Sequence, residues 1–367
     1  MRGTGFSTRA PLAATLAWAG AGVAPLGAER IATDVAAGRV LASPCGGEPW
    51  PGVDRAATDG YGIEAATTEG ASEYNPLPAG DAILVAAGRP IPPGADTVAP
   101  YPALHRRGPV LEALTPVARG AGIERRGADA STGFQVPAGL LGPEAAALLL
   151  LLGLREVEVV RRPNVAIVVA GPKGGPDVLT PMLAHLVAGD GGTASFHSSP
   201  ATVPPGGDLV LLAGRSGCGL DDDMPHLLRA AGGKLDLHGI AVRPGDSAGL
   251  GWLGGVRVVV LPGSPASALT VYDLLAGPIV QTLGGRAAAP RSVQQEAVLD
   301  RKITSAIGFT DLVRVRLRHG RATPLGPADT GGLARIVLSD GWVLVPEGQE
   351  GFPVGSPVIV HRRPGAA

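Results

Sequence analysis

Cysteine is nearly absent: the 367 residues hold two, Cys45 and Cys218, far apart in the chain. This excludes a disulfide framework and a cysteine-built zinc cluster, and a reducing cytoplasm is the expected setting. Strong charge of either sign is also lacking, because 31 Lys and Arg stand against 32 Asp and Glu and the basic residues are scattered. That balance argues against nucleic acid as the main partner. No apolar run reaches the roughly 18 to 20 residues of a membrane span, and Glu144–Leu154 is far too short. Arg2 and Arg9 ahead of the small apolar run Pro11–Pro25 imitate a secretory leader. Gly20, Gly22 and Pro25 dilute the run, so a short helix at Leu12–Ala19 is expected instead.

Glycine and proline are abundant, at 56 and 35 residues, beside a 45% apolar fraction that falls mostly in periodic runs. Many turns follow from that combination, not disorder. A chain of 367 residues exceeds one ordinary core, so two to four domains are expected. The stretch Asp208 to Asp223, DLVLLAGRSGCGLDDD, sets the pattern. Asp208 to Ala213 reads as a buried strand, Gly214 to Gly219 as a loop with few side chains, and a helix is expected to start near Asp222. Such a turn aims backbone N–H groups at an anion. Ser216 and the glycines let a phosphate approach, while the aspartates either hold a divalent metal or cap the helix. Standing alone, the stretch reads better as a capped turn without a ligand.

Around this stretch the chain divides. Residues 1–42 and 139–160 form an N-terminal element, in which Glu29 to Ala42 is a helix or an extended lead ending in a strand. A small β-rich domain, 43–138, is inserted in it, with strands at 82–86, 97–98 and 110–114. Asp59 sits in the turn Thr58–Asp59–Gly60, where capping is the simpler reading and ligand holding the alternative. Gly122 to Asp129, GIERRGAD, gathers Arg125, Arg126 and Asp129; the arginines suit an anion, although surface arginine pairs are usually solvated. A helix at 144–152 follows Pro143. An α/β block, 161–286, then alternates strands at 165–169, 208–213 and 256–261 with helices at 177–186, 224–231 and 267–275. From 290 to 367, short strands at 298–299, 312–317, 336–337, 343–344 and 358–361 make a separate all-β module.

Alternation of this kind predicts a mostly parallel sheet with its ligand site at the strands' C-terminal edge. The unusual loops gather there: Gly171–Gly175 with Lys173, then Gly214–Gly219, Arg243–Asp246 and Pro262–Pro265. Their glycine and proline content exceeds what folding requires, and an anionic-ligand pocket is expected on that edge.

Several motifs occur together in one order: Gly38–Ala42, Thr58–Gly62, Gly88–Asp96, Arg125–Asp129, Arg243–Pro244–Gly245, Leu261–Pro265 and Pro346–Glu347–Gly348. In that order and spacing, from Ala36 to His361, the chain resembles the molybdopterin molybdenumtransferases, the MoeA and gephyrin E-domain group. The resemblance implies a multi-domain α/β plus β protein. Its parts are a three-layer α/β/α molybdopterin-binding domain with a mostly parallel sheet, a small β-rich domain and a C-terminal β-barrel-like domain. It further implies a homodimer whose cleft lies between the α/β domain of one chain and the small β domain of its partner. Adenylylated molybdopterin and molybdate would be the substrates, molybdenum cofactor and AMP the products, with Mg2+ bridging phosphate and carboxylates.

By position, the resemblance makes Asp59, Asp129 and Asp222 the catalytic and metal-holding acids, with Asp221 or Asp223 as alternatives under a one-residue shift. The ligand-binding set would comprise Arg125, Arg126, Lys173, Gly214, Arg215, Ser216, Gly219, Arg243, Pro244 and Gly245, with Pro262, Gly263, Ser264 and Pro265. Departures fall on the same edge. The family's TGDE-type acids are Pro172 and Lys173 here, its SGG loop is Ala213–Gly214–Arg215, and the second lysine of its KPGKP-type loop is Asp246. A further family aspartate has no counterpart among Ser195–Ser199. Two readings follow: a divergent molybdenum insertase in which Lys173 and Arg215 take over phosphate contacts, or a pterin-binding carrier or assembly factor serving a client molybdoenzyme. Use of the fold for an unrelated anionic ligand stays open as a third.

Overall fold

A computed structural model describes residue 3 and residues 5–171, 176–288, 292–329 and 332–362. The chain forms two compact units, one of Arg30–Val159 and one of Met1–Glu29 with Val160–Ala367.

The second of these carries a six-stranded sheet. In spatial order its strands are Thr193–His197, Asn164–Val169, Leu209–Ala213, Val256–Leu261, Gly249–Leu253 and Lys234–His238. The first four run parallel, Gly249–Leu253 runs against them, and Lys234–His238, antiparallel to that strand, runs in their direction again. All five residues of Leu209–Ala213 are buried, because the sheet is covered on both faces. Leu209 and Leu211 point to one core with Leu183, Val187 and Ile279, while Val210 and Leu212 point to the other with Met224 and Leu228. Side chains alternating along a strand thereby build the three layers.

Three strands and two helices differ from expectation, and the short, small-residue strand Thr193–His197 is the first of them. Lys234–His238 and Gly249–Leu253 escape the sequence reading, since their Gly, Lys and His content masks the period of a strand. The helix after Val256–Leu261 runs Pro265–Val271, widens into a π turn at Tyr272–Ala276, and continues as Gly277–Leu283. Tyr272 and Gln281 both donate to the carboxylate of buried Asp190, at 2.9 and 2.8 Å. The helix near Asp222 starts later, at Met224, and spans Met224–Ala230.

The C-terminal strands Val293–Leu299, Thr310–Arg318, Arg321–Pro324, Gly341–Val345 and Pro357–Arg362 close on themselves as a five-stranded barrel. Closure comes from Thr310–Arg318 pairing with both Arg321–Pro324 and Gly341–Val345. Val242–Arg243 adds to this barrel in parallel, beside Thr310 and Asp311. The strand expected at 336–337 is instead part of a helix, Leu333–Val337. Ile336 packs on Ala266 and Leu269, whereas Val337 is 80% exposed, so the two apolar residues never shared a sheet position.

The expected N-terminal helix is present as Leu12–Gly20. Trp18 and Trp252 flank Arg257, whose guanidinium carbon lies 4.8 and 4.9 Å from the two ring centroids. Both indole N–H groups donate to Asp236. No helix among the described residues is long and apolar enough to cross a membrane.

The unit Arg30–Val159 is built from short strands. Glu29–Ala42 takes the extended form, with strands Ala28–Ala32 and Val40–Leu41 around the 3-10 turn Thr33–Val35. These strands pair with Glu156–Val160 and Gly139–Leu140 over a core that includes Leu149 of the helix Pro143–Leu151. Further on, Gly60–Ile63 lies between Ile83–Val85 and Thr97–Ala99.

Candidate functional site

A cavity of about 480 Å³ opens at the C-terminal ends of the parallel strands. Gly214 to Gly217, Asp222, Ser247, Gly263 and Pro265 line one part of it, and Val169 to Gly171 with Pro176 to Leu179 the other. Lys173, with Pro172, lies outside the described residues.

Backbone packing explains the glycines. Gly214 has φ +87°, and a Cβ there would stand 3.1 Å from the Ala170 side chain. Its N–H donates to Leu261 O at 3.0 Å, and a Cβ on Gly263 would lie 3.4 Å from Gly214 Cα. The loops after two neighbouring strands therefore touch backbone to backbone. Arg215 adopts φ +48°, a left-handed conformation that is strained for a residue with a Cβ. Its guanidinium meets Asp223 at 3.1 Å, while its Nε and the other Asp223 oxygen are buried without a hydrogen-bond partner.

Asp222 lines the cavity and accepts the Gly219 N–H at 2.7 Å. Cβ atoms on Gly217 or Gly219 would fall 2.7 and 2.9 Å from the same carboxylate oxygen, so the glycines wrap around it. Ser216 is 2% exposed, its hydroxyl 3.0 Å from that of Ser247. His238 donates from Nε2 to Ser216 O at 2.8 Å, and burial holds this imidazole below its ordinary value despite that bond. Asp177 accepts the Thr180 N–H at 3.1 Å, and hydrogen bonds from Thr180 depress its pKa. Sequence reasoning missed His238, Ser247 and Asp177, which become neighbours of the loop only through strand order.

Arg243, Pro244 and Gly245 are not on the lining. Arg243 makes two hydrogen bonds to Asp311, at 2.8 and 2.7 Å, which raise its pKa. Gly245 has φ +134°, and a Cβ there would meet Val271 at 2.7 Å. Asp246 pairs with Arg9 at 3.0 Å. Pro262 is buried, and Ser264 is exposed ahead of the helix that begins at Pro265.

In the other unit Asp59 is exposed and accepts the Ala87 N–H at 2.8 Å, which is a turn-holding contact. Arg125 and Arg126 converge on Asp54, a residue that sequence reasoning did not pick out. Arg125 donates to one Asp54 oxygen at 2.6 Å and the Arg126 N–H to the other at 2.7 Å. Both arginines are exposed, as is Asp129, whose charge acts on Arg55. Among the described residues no three His, Cys, Asp or Glu side chains group as a metal ligand set.

Three family models match the chain in succession. The MoeA N-terminal region (domain I and II) matches residues 10–153, a probable molybdopterin binding domain 177–312, and the MoeA C-terminal region (domain IV) 296–362. A Staphylococcus aureus protein named molybdopterin molybdenumtransferase is 24% identical over 357 residues, covering 84% of this chain and 85% of its own. Molybdopterin molybdenumtransferase 2 of Mycobacterium tuberculosis is 26% identical over 347 residues, covering 81% and 85%. A crystal structure of the molybdopterin biosynthesis MoeA protein from Pyrococcus horikosii superposes with a TM-score of 0.76 at 25% identity, covering 98% of this chain and 100% of that one. With its N-terminal, central and C-terminal regions matched in the family's order and its fold shared with a solved MoeA protein, the chain belongs to the MoeA family.

Proposed function

We propose that this protein is a molybdopterin molybdenumtransferase of molybdenum cofactor biosynthesis. It takes up adenylylated molybdopterin and molybdate and releases molybdenum cofactor and AMP. The observation that carries the reading is the cavity wall itself: a backbone-lined glycine loop with Asp222 on the lining and the buried, unpartnered Nε of Arg215 beside it. A buried N–H donor without an acceptor is costly, and an anionic ligand supplies one. Arg215 thus adds a side-chain donor that a glycine at this position would lack.

Magnesium fits as an ion held jointly by protein and substrate. One carboxylate, Asp222, together with phosphate oxygens suits Mg2+, which keeps much of its water and rarely takes an all-protein cage. Bound there, it would neutralise charge on the phosphates. Asp222 would hold it, and the Gly219 N–H would orient that carboxylate. Asp59, Asp129, Arg125 and Arg126 enter the proposal from the resemblance alone. The homodimer likewise does, and light scattering tests it against twice the monomer mass of 36.8 kDa.

A second reading, as a pterin carrier or assembly factor for a client molybdoenzyme, is favoured by one feature. Arg243 is engaged by Asp311 and Asp246 by Arg9, so the 243–246 loop carries little uncompensated positive charge for a phosphate. Incubating the protein with adenylylated molybdopterin, molybdate and Mg2+ separates the readings. AMP release that Asp222→Asn abolishes supports the transferase; binding without AMP release supports the carrier; absence of binding refutes both.

A further inference from the structure

The segment ahead of the first helix lies against the loops that shape the cavity. Ala10 bridges Ile240 in parallel, its N–H donating to Gly239 O at 3.0 Å and its O accepting the Ala241 N–H at 2.8 Å. Phe6 packs edge-on to His238, with ring centroids 4.9 Å apart at 88°. The same ring covers Gly239, where a Cβ would lie 2.6 Å from Phe6 Cδ1. His238 in turn donates to the Ser216 carbonyl.

Arg9 reaches the other loop. It pairs with Asp246 at 3.0 Å and stands 5.3 and 5.2 Å from the Phe6 and Phe309 ring centroids. Asp246 adjoins Ser247, whose hydroxyl meets that of Ser216. Two contact chains therefore run from residues 5–10 to the cavity wall, Phe6 to His238 to Ser216, and Arg9 to Asp246 to Ser247. Neither Phe6 nor Arg9 is on the lining itself.

We propose that Phe6 and Arg9 are positioning residues, and that residues 5–10 act as a strap holding the Gly214–Gly219 and Arg243–Ser247 loops in the arrangement that binds the anionic pterin. The ligand named here rests on the molybdopterin reading, whereas the strap's hold on the loops does not. A loop of glycines has much conformational freedom to lose when it closes on a ligand. Fixing the Ser216 carbonyl and Asp246 beforehand removes part of that cost. The strap should therefore act on Kd and KM and leave kcat alone.

Cys218 gives a readout that needs no ligand. It lies on the glycine loop, its thiol is partly buried, and Cys45 is the only other cysteine. In a Cys45→Ser background, the rate of Cys218 modification by N-ethylmaleimide reports loop opening. Burial pushes the Cys218 thiol above its ordinary value and the Arg9 charge offsets part of that rise, so losing that charge alone would slow labelling. Phe6→Ala and Arg9→Gln should each speed labelling about fivefold, the scale of one ring contact and of one partly exposed ion pair respectively, and weaken binding of adenylylated molybdopterin by a similar factor. Arg9→Lys should restore both towards wild type, and thermal unfolding of Arg9→Gln should stay close to it. Wild-type labelling rates in folded Phe6→Ala and Arg9→Gln, or faster labelling with an unchanged Kd, would overturn the proposal. Faster labelling in these variants of a protein that binds no pterin would instead overturn the molybdopterin reading and support the strap's hold on the loop.

Discussion

Replacing Arg243 with alanine should destabilise the protein by about 3 to 5 kcal/mol, the cost of leaving a buried charge without its partner. The Asp311 side chain is 2% exposed and that of Arg243 21%. In Arg243→Ala, Asp311 keeps the Ser305 hydroxyl at 2.8 Å and loses two guanidinium donors at 2.8 and 2.7 Å. Charge-assisted bonds of about 1.5 to 3 kcal/mol each give the same scale. Asp311→Ala should cost less, about 2 to 3 kcal/mol. The stranded Arg243 is more exposed, has Asp329 at 3.8 Å, and lies 4.6 Å from the Phe309 ring centroid. Urea unfolding followed by far-UV circular dichroism measures each loss. The apolar double variant Arg243→Met with Asp311→Leu should fall well below the sum of the single alanine losses, because no charge is left behind. A loss below about 1 kcal/mol in Arg243→Ala, or an apolar double variant as unstable as that sum, would refute the role of this pair as a buried anchor.

Two further outcomes concern groups near the cavity and the first helix. Burial holds His238 below its ordinary value of 6.5, so as pH falls the unfolded chain takes up the proton first and stability is lost below about pH 6.5. His238→Gln, which keeps a donor for Ser216, should flatten the fall in unfolding temperature; the remaining slope includes His361, shifted in the same direction by burial. A slope equal to wild type would dismiss His238 as its source. Arg257→Lys should cost about 1 to 2 kcal/mol, since an ammonium cannot stack as a plane between Trp18 and Trp252. The readout is a red shift of tryptophan emission as the Leu12–Gly20 helix loosens, and unchanged emission and stability would count against that role.

The α/β core was legible because its strands are uninterrupted runs of Val, Leu and Ile, a pattern only a doubly covered sheet needs. Leu209–Ala213 is the clearest case. Lys234–His238 was illegible for the opposite reason: at the sheet's antiparallel edge, with Lys234 exposed and Leu235 and Leu237 only partly buried, it lacks such a run. The candidate site was half legible. Glycines at 214, 217 and 219 announce a loop that backbone or ligand must approach, and Asp222 lies within it. What the sequence hid was pairing across long separations. Nothing local to Arg243 indicates Asp311, nothing near Asp246 indicates Arg9, and the Arg125–Arg126 cluster gives no sign of Asp54. A charge that looks available for a ligand in one dimension can already have its counter-ion in three.

Val242–Arg243 belongs to the barrel's hydrogen-bonding pattern, while Ser247 on the same loop lines the cavity. The C-terminal module is thus no detachable appendage of the α/β layers. A chimera that takes residues 293–362 from a distant relative would inherit a foreign partner for Arg243 and a foreign edge for Val242, and would misplace Ser247. Recombination should therefore succeed only when residues 242–247 travel with the barrel, making the two distant segments one heritable unit.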